Sequence, residues 1–142
     1  MAKEPALFEL SPAAEAWASK RRQGLSREEQ RDLLRRQQER CALSGARLLF
    51  DKQEGTPESG GRGVHPLYPA VDHIDCGTRG RGHQIVCYAL NDVKGHVPFE
   101  CFEALRATQA WKELMRRWRA LDEEGPRTRE AFKRLIFPNA GT

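Results

Sequence analysis

Asp72 and His73 stand side by side at the end of a short apolar run, Tyr68-Pro69-Ala70-Val71, and Asn91 and Lys94 follow one helical turn apart further along. A carboxylate is a hard oxygen ligand for Mg2+ or Mn2+, and a neutral imidazole that titrates near neutrality can take a proton from water. Asn91 can add a second oxygen ligand. Lys94, on the same helical face, offers a point charge for phosphate. Taken alone, the Asp-His pair fits equally a hydrogen-bonded core histidine beside a turn-capping aspartate.

For these groups to converge, the chain between them must fold into a hairpin and a helix. Two short apolar runs separated by a glycine-rich stretch predict a strand over Tyr68–Ile74, a Gly/Arg-rich turn over Cys76–Gly82 and a second strand over His83–Cys87. A helix then runs from Tyr88 through Lys94 and stops at Gly95. Neighbouring strand side chains point to opposite faces, but a strand end that bends into a turn can turn Asp72 and His73 toward one site. Arg79 and Arg81 lie in the glycine-flanked turn, where backbone can approach a phosphate closely; solubility of an exposed turn is the other reading. His96, beyond the stop at Gly95, either caps helix carbonyls or touches phosphate, and His65 can approach from the preceding loop.

The flanks read as helical. Ser11 before Pro12 forms an N-terminal helix signal, and the Ala-rich run carrying Trp17 is expected to end near Gly24. Ser26 and Glu29 form a capping box for a helix over Arg27–Arg40, with Leu33 and Leu34 as its narrow apolar stripe. Its five arginines suit either Glu/Arg pairing or a polyanion. Cys41-Ala42-Leu43-Ser44-Gly45 reads as a tight turn, Arg47–Phe50 as a short strand, and residues 51–63 as a surface loop. Pro98 opens a helix with Phe99, Phe102 and Leu105 at helical spacing. Trp111, Leu114, Met115, Trp118 and Leu121 mark a long amphipathic helix, with the tryptophans as core anchors, and Thr128 begins a last helix with Phe132, Leu135 and Ile136 inward.

With 142 residues the chain suits one compact domain, divided into an N-terminal helical arm at 1–40, a core at 41–97 and a C-terminal helical layer at 98–142. No apolar run reaches bilayer length and no secretory signal opens the chain, so no membrane partner is expected, and a cytoplasmic location in a bacterial or phage-infected cell is. The net charge of +4, carried mainly by Arg, whose planar fork suits phosphate, leans toward a nucleic-acid partner.

Three blocks together are more specific than any one: Cys41-Ala42-Leu43-Ser44-Gly45, Tyr68-Pro69-Ala70-Val71-Asp72-His73-Ile74-Asp75, and Gln84-Ile85-Val86-Cys87 leading to Asn91-Asp92-Val93-Lys94-Gly95. In these the chain resembles the HNH endonucleases, the ββα-metal (His-Me finger) nucleases, and within them a phage and prophage-type branch; the resemblance runs from about Cys41 to Leu105. It implies an α+β fold with a ββα-metal core, flanked by N- and C-terminal helices. It further implies that Asp72 and Asn91 bind one Mg2+ or Mn2+, that His73 is the general base, and that the substrate is a phosphodiester, most simply double-stranded DNA. Lys94, Arg79, Arg81 and His96 would then contact phosphate.

Two positions depart from the pattern. The asparagine that orients the base histidine would fall near Gly82, so His83, or Gln84, becomes the substitute. The Cys-x-x-Cys units of many relatives are reduced to Cys41-Ala42-Leu43-Ser44 and Cys87-Tyr88-Ala89-Leu90. No structural zinc is therefore expected; Cys41 and Cys87 should pack as thiols with Leu90 filling the space, and Cys76 and Cys101 should be packed or incidental. These departures leave two other expectations open: a catalytically weakened nucleic-acid-binding protein of the same fold, and a protein-protein adaptor using the Trp111/Trp118 helix.

Overall fold

The computed structural model of the chain describes residues 8–22, 24–50, 65–74, 82–95 and 97–120. Among them, helices α1 (Pro12–Ala18) and α2 (Arg27–Gln37) precede strands β1 (Pro69–His73) and β2 (His83–Cys87), which lead into α3 (Tyr88–Lys94), α4 (Phe99–Arg106) and α5 (Gln109–Ala120). The fold is a small α+β arrangement. The expected loop at 51–63, the turn residues 75–81, His96 and the helix from Thr128 with Phe132, Leu135 and Ile136 lie outside the described residues.

Local chemistry sets the first two helices. Ser11 accepts the Ala14 amide at the start of α1, and Ser26 and Glu29 exchange side-chain-to-backbone bonds in a complete capping box on α2. Both helices end sooner than their composition predicts. The fully buried Gln30 donates to the carbonyls of Ala18 and Lys20, so α1 stops against α2 instead of running to Gly24. At the end of α2, Gln38 and Glu39 take left-handed backbone angles, φ 56 and 60, which no helix accommodates. Glu39 is held there: its carboxylate accepts from the Ser11 amide at 2.6 Å and hydroxyl at 3.1 Å.

The hairpin is antiparallel, with Pro69 opposite Cys87, Val71 opposite Ile85, Asp72 opposite Gln84 and His73 opposite His83. Pro69 occupies the first strand position, where its missing donor costs no ladder bond. β1 is one residue shorter than expected at each end, whereas β2 and α3 keep their predicted limits. The expected strand at Arg47–Phe50 is instead a single bridge, Arg40 to Arg47, followed by bonds from Leu48 to Glu39 and from Leu49 to Leu67.

A side chain joins α2 to the hairpin. Gln37 donates to the Ile85 carbonyl at 2.7 Å and accepts the Ile85 amide at 3.0 Å, so one carboxamide covers the outer edge of β2 as a further strand would. Leu34, Leu67, Ile85, Val86, Leu90 and Phe102 are essentially fully buried in one core that also holds Trp17, Trp111 and Trp118. Trp111, Met115 and Trp118 of α5 thus face inward, as their spacing predicts, with Leu114 half-buried and Leu121 outside the described residues, so Trp111 and Trp118 form no exposed aromatic surface for an adaptor. On α4 the expected stripe is incomplete: Phe102 is buried and meets Trp111 edge-on at 5.5 Å, but Leu105 is 41% exposed.

Candidate functional site

Asp72, near the end of β1, is 7% exposed and bonded at both oxygens. Its cross-strand partner Gln84 donates an Nε2–H to Oδ2 at 2.9 Å, and Lys94 reaches Oδ1 at 3.2 Å from the last turn of α3. The Lys94 ammonium also donates to the His73 carbonyl at 2.7 Å. Lys94 is 1% exposed, so it is not the surface point charge for phosphate that its position on the helix predicts. Two opposite charges removed from water need each other and further donors to be tolerated. The strand carbonyl and the Gln84 amide supply them here, and the result locks α3 onto β1.

His73 belongs to the other face. The ladder holds through the His73–His83 pair, with one more bond from the Ile74 amide to the Gly82 carbonyl, so strand alternation persists. Asp72 with Gln84 occupies one face, and His73 with His83 the other. The bend that was expected to bring Asp72 and His73 to one side is not present in the described strand. The two imidazole rings lie 4.5 Å apart, centre to centre, tilted by 50°. His83 therefore meets His73 by ring packing, while Gln84 holds Asp72 and not the histidine. Gly82, φ 99, sits in a conformation glycine adopts freely.

Beyond His83 is a cleft of about 350 Å3 whose other wall is α2, with Glu29, Asp32, Leu33 and Arg36. The α2 arginines are largely committed inside the protein: Arg27 donates to the Ser19 carbonyl, Arg31 pairs with Glu15 and Glu28, and Arg35 pairs with Glu28 and Asp32. Glu/Arg pairing thus accounts for this helix better than a polyanion does. Sequence reasoning missed Gln37 and the Gln84–Asp72 bond; a strand register that places Gln84 opposite Asp72 is the signal that could have found the latter.

Asn91 lies on α3 one turn before Lys94, and α3 packs against β1. Its carboxamide makes no hydrogen bond to another described residue. No group of three His, Cys, Asp or Glu side chains suited to a metal forms among the described residues. The donors that fit a hard divalent cation are then two oxygens, those of Asp72 and Asn91. Asp72 retains lone pairs beyond the two that Lys94 and Gln84 use, so its chemistry would allow a hard cation as a further partner. Arg79, Arg81 and His96 lie outside the described residues. His65 is fully buried, and its Nδ1 accepts the Leu67 amide at 3.0 Å, a bond within its own turn.

At the opposite end of the hairpin the second metal-like arrangement has a different content. Cys41, Ser44, Cys87 and Leu90 are all buried, and the Cys41 sulfur accepts the Cys87 amide at 3.3 Å. A hydrogen bond from the Cys87 thiol, helped by Ser44 and backbone amides, holds the Cys41 thiol down at about 6 against the opposing effect of burial. Burial, together with donation to Cys41, pushes the Cys87 thiol up. The packed thiols and the buried Leu90 agree with expectation. Cys101 is exposed, which makes it incidental, and Cys76 lies outside the described residues.

No protein family, curated protein or solved structure matches this chain. No helix among the described residues is long and apolar enough to cross a membrane.

Proposed function

We propose that the protein is an HNH-type, ββα-metal endonuclease that hydrolyses phosphodiester bonds in DNA with Mg2+ or Mn2+. The observation that carries this reading is a buried Asp72, fixed by Gln84 and Lys94, at the point where an antiparallel hairpin meets a short helix bearing Asn91. Asp72 and Asn91 would hold the cation, which when bound polarises phosphate oxygens and stabilises developing negative charge. The remaining work belongs to the chain. Gln84 and Lys94 orient Asp72. His73, which lies on the opposite strand face from Asp72, would take the proton from the attacking water only once the end of β1 turns it toward the cation, and His83, packed on its ring, restricts the angles that ring can adopt. Lys94 acts through Asp72 and the His73 carbonyl as a positioning residue.

Incubation of supercoiled plasmid with protein and Mg2+ or Mn2+ tests this. Wild-type protein should nick or cut, and His73→Ala should lose at least about a hundredfold in rate. Equal cleavage by the variant, or none by the wild type with either metal, would refute the proposal.

A second reading draws on one observation. Both Asp72 oxygens are already engaged, and His73 lies on the opposite strand face, so the same fold could bind nucleic acid without cutting it. DNA binding that is unchanged by chelator, with no cleavage, would favour it.

A further inference from the structure

At the corner between α4 and α5 lies an open surface cleft of about 420 Å3 that none of the chemistry above uses. Its apolar wall is Leu43, Trp111 and Met115, each 7% exposed or less. Around that wall stand three cations, Arg106, Lys112 and Arg119, against one carboxylate, Glu103. Glu103 is spent on Arg106, at 3.0 Å. Arg119 donates to the Ser44 carbonyl at 3.2 Å, a bond that orients the guanidinium without neutralising its charge, and it makes no ion pair with a described residue. Its stem lies over Gly45, where an added Cβ would come within 3.2 Å of the Arg119 Cδ; a larger residue there would displace the arginine.

The neighbouring cations of α5 are spent differently. Arg116 and Arg117 both pair with Glu113, whereas Lys112 is exposed and makes no ion pair with a described residue. Two positive charges in an open cleft with a tryptophan in its wall therefore lack a counter-ion among the described residues. An oriented guanidinium and an ammonium beside apolar surface match a phosphate joined to an organic group better than they match a bare anion. The volume falls within the range of small-ligand sites.

We propose that this cleft binds a phosphate ester, with Lys112 and Arg119 as its ligands and the organic part lying along the rim beside Leu43, Trp111 and Met115. The ester is either a free nucleotide or a backbone phosphate of a nucleic acid. This site stands apart from Asp72, Asn91 and His73 and does not depend on the nuclease reading.

The test uses the full chain in chelator, which removes metal-dependent cleavage from the measurement. Calorimetric titration at low salt would employ inorganic phosphate, a nucleoside monophosphate and a short DNA duplex as separate probes. The monophosphate or the duplex should bind more tightly than inorganic phosphate, and Lys112→Glu should weaken that binding by at least about tenfold. Lys112 is exposed, so the variant should fold, and Lys20→Glu on the remote α1 end should leave binding unchanged. Binding of the monophosphate identifies a free nucleotide as the source; binding of the duplex alone identifies backbone phosphate, with Lys112→Glu lowering its salt slope by about one. No binding of any probe, or equal binding by Lys112→Glu, would overturn the proposal. Loss of plasmid cleavage with retained probe binding would instead count only against the nuclease.

Discussion

The two ends of the hairpin carry buried polar clusters built from opposite materials. At the end closed by His73 and His83, Asp72 and Lys94 bring two opposite charges inside, where Gln84 and the His73 carbonyl also bond to them. At the end where Pro69 faces Cys87, two sulfurs share a hydrogen bond, and an aliphatic side chain, Leu90, closes the space. The difference teaches that a strand–helix junction can be held by ion pairing or by sulfur and packing.

The largest effect should come from breaking the charged end. Lys94→Met leaves Asp72 buried without its partner and should cost about 3–5 kcal/mol in urea unfolding, while Asp72→Asn combined with Lys94→Met should recover most of the loss. If the single variant proves as stable as the wild type, the ion pair does not hold α3 to β1. The sulfur end should give way through packing instead: Leu90→Ala should cost about 2–5 kcal/mol because the cavity has no other side chain to fill it. A cost near zero would mean that the site collapses or takes up water, and the contrast between the ends would fail.

The second strand, the extent of α3 and the inward tryptophans of α5 were legible in the sequence because each follows from a short apolar run, a glycine stop or a helical period. What was not legible depends on register and burial. Nothing local says that Lys94 turns inward, since a lysine one turn past Asn91 is equally at home in water. Nor does spacing show that Gln84 meets Asp72 or that His83 packs on His73; both follow from which residue stands opposite which. The ends of α1 and α2 were overrun because Gln30 and Glu39 act on them from a distance in sequence. Gln37 carried no signal, being one polar helix residue among many until Ile85 is placed beside it.

Smaller effects sharpen the same contrast. The Cys41 pKa of about 6 lies below that of an ordinary thiol, near about 8.5. Its contribution to stability is therefore complete above the unfolded value and is lost as pH falls through about 6. Cys87, shifted the other way, opposes this once the pH rises past the ordinary thiol range, because ionising it in the folded state is unfavourable. Thiolate absorbance in the native protein should appear with a midpoint near pH 6 and vanish in Cys41→Ala; a midpoint at the ordinary value in the wild type would contradict the sulfur hydrogen bond. Smallest of all, Gln37→Ala should cost about 1–3 kcal/mol by leaving the Ile85 amide and carbonyl with one fewer partner. Hydrogen exchange at the Ile85 amide should rise with it, and unchanged exchange would show that Gln37 does not guard the strand edge.

Calorimetric titration of Mn2+ into wild-type protein, Asp72→Asn and Asn91→Ala tests the cation site most directly. One Mn2+ should bind the wild type, and either substitution should weaken that binding at least about tenfold. Absence of binding to the wild type, or affinity unchanged in both variants, would contradict a metal site at the junction of β1 and α3.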